Sequence, residues 1–232
     1  MSTVLNKSNV KQHLKCCFFN LTNMKINKTT FFYVLIISCI LMELTKYVLN
    51  VNQLLYNSLI NNITERQVVE ILNYQKKWKF LSFLFLSIVV FLKTSIITSI
   101  LYVGIFFSKS DITFRSIFNK VIQAEFIFLL VPIFKIIWFY FFQTSYKLED
   151  IQNFFPLSAI NITGYEDIEP WYIYPLQTFN LFELAYVFYL GIQIAKLTKS
   201  TPDEGLKMVI YSYVPALLLW VCTIMFLILN YS

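Results

Sequence analysis

The chain has 232 residues, 57% of them hydrophobic and 19% aromatic, with only 14% charged and a formal net charge of +6. Soluble domains carry about 25% charged residues, so this composition excludes an ordinary water-soluble fold. It leaves a polytopic membrane protein, too short for a second folded domain.

Residues 1–30 hold Lys7, Lys11, Lys15, Lys25 and Lys28 and no acid. They read as a basic cytoplasmic tail. The apolar patch from Cys16 to Leu21 can form a short helix lying on the inner leaflet, and a disordered tail fits equally well. Cys16 and Cys17 precede the first span, where palmitoylation is chemically open. No secretory cleavage pattern follows, so the first span is expected to be retained as a signal anchor.

Five apolar stretches come next: Phe31–Leu49, Phe80–Phe107, Val121–Phe142, Asn180–Leu197 and Leu206–Leu229. Each is near or above the roughly 20 residues that cross a 30 Å hydrocarbon core. The expected fold is therefore all-α, with five transmembrane helices forming one domain over residues 31–232. The connection over about 50–79 is expected to be helical, with Thr64 and Gln67 as a capping box. The second stretch exceeds the bilayer requirement and must tilt, kink or project. Asp111–Lys120 reads as an interfacial piece before the third span. Pro132 and Pro215 fall within spans three and five, where a proline removes a backbone hydrogen bond and bends a helix. The connection over about 143–179 is acidic and aromatic, with Trp171, Tyr172 and Tyr174 as an interfacial belt. Thr201, Pro202 and Glu204 form a helix-start signal for the last span.

Positive residues set the orientation. With the N-terminus in the cytoplasm, eleven Lys and Arg lie inside and five outside. This favours a cytoplasmic N-terminus and an external C-terminus, in the cytoplasmic (inner) membrane if the source is bacterial.

Ionisable residues within spans cost about 2.5–3.5 kcal/mol each at the bilayer centre. Centring each stretch in the bilayer puts Lys93 near the midplane. On the same basis Glu43, Lys135 and Glu183 fall about 5–7 Å outward. Two acids and two bases at one depth lead to the expectation of a buried charge cluster, Glu43, Lys93, Lys135 and Glu183, joining spans one to four. Two other accounts stay open. Each charge can reach water alone, and Glu183 can serve Asn180 as a capping-box residue. Glu125 is assigned to the N-terminus of span three.

Most known site classes are missing, and only acid-based chemistry with a metal, at Glu149-Asp150 or Glu166-Asp167-Ile168-Glu169, stays open as a third reading. The sole histidine is His13, the four glycines are isolated, and there is no Cys-x-x-Cys. No metal, cofactor or nucleic acid is expected, and no catalytic residue is assigned. Expected partners are the lipid bilayer and another membrane protein; a small-molecule substrate is not specified by any motif.

From Tyr174 the chain runs Tyr-Pro-Leu-Gln-Thr-Phe-Asn-Leu-Phe-Glu and onward through Leu-Gly-Ile-Gln-Ile-Ala-Lys-Leu-Thr-Lys. This segment, with the basic lead-in and mid-span proline of Ile117 to Pro132, resembles the bacterial branch of the Yip family (Ypt-interacting proteins). The resemblance covers about residues 79–229. It implies five spans, the same orientation, and a role in membrane organisation, trafficking or support of another membrane protein. It carries over no catalytic residues. The charged first span and the long first outer connection depart from the family pattern. Together these readings give a non-enzymatic scaffold, adaptor or accessory subunit. A small transporter or channel built on the charge cluster is the alternative.

Overall fold

The computed structural model describes residues 28–60, 63–106, 112–166 and 168–231. The basic tail before Lys28, with His13, Cys16 and Cys17, lies outside the described residues. Those described form an all-α, multi-pass membrane protein, with five helical stretches long and apolar enough to cross a membrane.

Span one is α1 (Lys28–Val48). It ends where Asn50 takes a left-handed conformation, φ 48°. Two connecting helices follow, α2 (Val51–Ile60) and α3 (Glu65–Lys77). At the start of α3 the Thr64 N–H donates to the Gln67 side chain at 3.1 Å, closing the expected cap. Span two is α4 (Lys79–Phe106), 28 residues long, or about 42 Å.

Span three is two helices joined by a tighter turn: α5 (Phe114–Ala124), a 3-10 segment (Glu125–Leu129) and α6 (Leu130–Phe141). Pro132 accounts for the change of pitch. Its ring crowds the carbonyl four residues back, at Phe128, and it has no N–H to offer that carbonyl. The segment expected at the membrane surface, Asp111–Lys120, is from Phe114 onward continuous with this span, and Phe114, Ile117 and Phe118 are buried against the bundle. The segment combines an apolar face with Arg115 and Lys120, and it turns that face into the bundle.

The acidic connection folds into α7 (Leu148–Asn153), α8 (Ile160–Thr163) and α9 (Pro170–Thr178). Span four is α10 (Leu181–Thr198) and span five is α11 (Pro202–Tyr231). Reciprocal bonds between Thr201 and Glu204, at 3.1 and 3.4 Å, start α11 as its sequence predicts. Pro215 lies inside α11, which continues past it as one helix.

The main core joins α4, α5, α10 and α11 through Ile97, Leu101, Val121, Tyr186, Leu190, Ile194 and Val209. Glycine permits the closest approaches. A Cβ on Gly205 would meet the Gly191 carbonyl and stand 2.6 Å from the Ala195 Cβ. One on Gly104 would stand 2.6 Å from the Ser212 Cβ. Helix association in lipid relies on such backbone proximity, because apolar burial gives little there. A second cluster of Leu49, Phe139 and Ile151 closes the end that carries the two long connections. That end is called outer below, after the charge pattern.

Candidate functional site

The polar centre of the bundle grows from the stripe that α5 buries. Phe114, Phe118, Val121 and Ile122 face inward, and the next position on that stripe is Glu125. It is 6% exposed. Its carboxylate accepts from Lys93 Nζ of α4 at 2.8 Å and from the Tyr186 hydroxyl of α10 at 3.2 Å. The Lys93 ammonium also lies 4.1 Å from the centroid of the Phe128 ring, within cation–π range. The 3-10 segment thus supplies both the carboxylate and the aromatic face around one lysine.

Next to this lies a second pair. The Tyr213 hydroxyl of α11 donates to Glu183 of α10 at 2.7 Å. The Tyr186 and Tyr213 rings, 5.7 Å apart, bridge the two pairs. The Glu183 N–H is taken by the Asn180 side chain at 2.7 Å, while its carboxylate turns to Tyr213. Four helical stretches therefore meet in one network of Lys93, Glu125, Tyr186, Tyr213 and Glu183.

Helix lengths fix its depth. At about 1.5 Å per residue, the inner ends Phe106, Phe114, Thr198 and Pro202 all lie about 16–20 Å from the network. The outer ends Lys79 and Tyr231 lie about 21 and 27 Å away. The network thus sits near the middle of a hydrocarbon core about 30 Å thick.

The proposed cluster of Glu43, Lys93, Lys135 and Glu183 does not come together as one group. Glu43 pairs with Lys79 at 2.6 Å and lies 3.8 Å from Lys46, all three half exposed. Fourteen residues of α4 separate Lys79 from Lys93, so Glu43 stands about 21 Å outward of the network. The helices show why. Phe31 meets Phe91 and Glu43 meets Lys79, an antiparallel register of twelve residues on either helix. Val34 joins Phe114, Phe118 and Ile122 of α5, so α1 reaches from the inner half of the bundle to the Lys79 end of α4, with Glu43 near its outer end. Lys135 lies about 17 Å outward of Glu125, counting the larger rise of the 3-10 turn. It has no ion pair or hydrogen bond among the described residues. Lys93 and Glu183 do lie at mid-depth, the latter about 5 Å outward of Tyr186. Glu125, assigned from sequence to a helix start, is the partner that Lys93 uses.

Span four starts where the sequence places it, and the chain breaks just before it: α9 ends at Thr178 and α10 starts from the buried cap Asn180. That cap lies about 9 Å outward of Tyr186, inside the outer half of the core. The acidic connection dips to meet it. Ser158 and Asn180 form an antiparallel bridge, with Ala159 N–H on Phe179 at 2.9 Å and Leu181 N–H on Leu157 at 3.1 Å. Leu157 adopts φ 55° to make this approach. Gln177 donates to the Asn153 carbonyl at 2.8 Å. Non-helical backbone at such depth requires protein partners for its polar groups, and these bonds provide them.

Among the described residues no group of three His, Cys, Asp or Glu gathers to hold a metal. In the outer connection, the Tyr165 hydroxyl donates to Asp150 at 2.5 Å. That bond to the carboxylate, with burial and nearby acids, pushes the phenol well above its usual value. No family model, curated protein or solved structure matches the chain.

Proposed function

We propose that the protein is a non-enzymatic integral membrane scaffold or accessory subunit serving another membrane machine, in trafficking or export. One observation carries this reading. The ionisable groups at mid-depth are engaged by their own neighbours: Lys93 and Tyr186 by Glu125, and Tyr213 by Glu183. Charges placed in this way hold helices in register. The resemblance of residues 79–229 to Yip proteins supports the same reading. On this account, gentle detergent extraction followed by cross-linking mass spectrometry yields a stoichiometric membrane partner. A clean monomer with no such partner overturns it.

The helix break at the entry to span four favours a second reading, a small transporter or channel. Discontinuous helices recur in transporters, this break lies about 9 Å outward of the network, and the network holds two acids against one base. This reading predicts ion or proton flux in liposomes that Lys93→Met abolishes. The scaffold reading predicts none.

A further inference from the structure

We propose that the inner end of the bundle is a binding surface for anionic phospholipid headgroups, centred on α10. Along the surface of α10, Leu184, Phe188 and Ile192 recur every fourth residue and are 46–55% exposed. The next member of that stripe is Lys196, and Lys199 follows as the left-handed cap just past the helix end; both are exposed. An apolar track about 12 Å long thus ends in two ammonium groups, matching an acyl chain below a negative headgroup. Lys196 and Lys199 lie about 15 and 20 Å inward of Tyr186, where hydrocarbon gives way to headgroups.

Neighbouring helices extend the positive field. Arg115 on α5 lies about 15 Å inward of Glu125, and Lys207 on α11 about 9 Å inward of Tyr213; the long lysine stem can carry that ammonium further toward the surface. Both side chains are exposed, and α5 and α11 pack on α10. None of Arg115, Lys196, Lys199 and Lys207 has an ion pair or hydrogen bond among the described residues. Among the described residues the acids at this end are Asp203 and Glu204, and Glu204 accepts from the Thr201 N–H. Four uncompensated cations against two carboxylates leave the surface positive. Each basic side chain at a membrane surface adds about a fivefold preference for anionic lipid. Lys196 also suits the C-terminus of α10 electrostatically, and a purely structural role of that kind gives no preference between lipids.

Native mass spectrometry from micelles doped with equal phosphatidylglycerol and phosphatidylcholine separates the two roles. The full chain is expected to retain phosphatidylglycerol severalfold over phosphatidylcholine. The Arg115→Gln/Lys196→Gln/Lys199→Gln/Lys207→Gln variant is expected to retain the two equally. The milder Lys196→Gln/Lys199→Gln variant is expected to lose most of the preference, and it serves if the fourfold variant does not fold. The outer-end variant Lys76→Gln/Lys77→Gln is expected to keep it. Equal retention by the unmodified chain overturns the proposal, as does undiminished preference in either inner-end variant. An acidic polypeptide that occupies this end, with lipid retention at parity, overturns it as well.

Discussion

The Lys93–Glu125 pair gives the sharpest test, because its two halves are unequally buried. Glu125 is 6% exposed, while the Lys93 side chain is 41% exposed. Lys93→Met keeps the stem volume but leaves a buried carboxylate with only the Tyr186 hydroxyl as donor. Removing one partner of a buried pair costs about 3–5 kcal/mol. Glu125→Gln keeps a carbonyl that accepts from Tyr186 or Lys93, and it leaves the ammonium against the Phe128 ring. Its expected cost is smaller, about 1–3 kcal/mol. The double variant strands neither charge, so it should cost at least about 1 kcal/mol less than the sum of the singles. Unfolding free energies measured by steric trapping in bicelles give the full cycle. A second cycle is the control. Lys93→Met and Glu43→Gln act at sites about 21 Å apart and should add to within about 0.5 kcal/mol. Additivity in the first cycle, or coupling in the second, refutes the two-level arrangement of charges.

Three further outcomes follow from local geometry. Gly205→Ala places a Cβ against the Gly191 carbonyl and the Ala195 Cβ, so α10 and α11 must separate, at about 1–3 kcal/mol by the same assay. The open position Gly164, with nothing near its Cβ but φ at 77°, is strained by alanine through its backbone alone. Tyr165 titrates late because Asp150 accepts its proton-bearing hydroxyl. With its folded value raised above the ordinary 10.0, its stabilising contribution is complete below that pH and is lost as pH rises through the folded value. Ultraviolet titration compared with a Tyr165→Phe variant should assign one of the late-ionising tyrosines to Tyr165, and Asp150→Asn should return that one group to the exposed class.

How much was legible in the sequence follows from what each signal measures. Apolar run length is a property of single segments, and it found all five spans, because a lipid-facing helix must be apolar whatever it packs against. The caps at Thr64 and Thr201 are equally local, and each was readable from residues three apart. Relative depth is different, because it belongs to a pair of helices. Centring α1 on its own composition put Glu43 beside Lys93. Its register on α4, fixed by Phe31 on Phe91 and Glu43 on Lys79, moved it outward by most of a leaflet. The signal for Glu125 was present in the 114, 118, 121, 122, 125 stripe. It was obscured because Arg115 and Lys120 made the first two turns of the span look interfacial. The break at Asn180 had a local trace in Pro175 and the Asn cap. What the sequence could not carry was Leu157–Ala159 returning to satisfy it, a contact between segments some twenty residues apart. The same distinction bears on function. A charge that looks unpaired along the chain counts as a functional residue only after the neighbouring helices have been asked for its partner. For Lys93 that partner is Glu125. Lys135 has none among the described residues, and it stands near the outer surface, where a lysine can reach water.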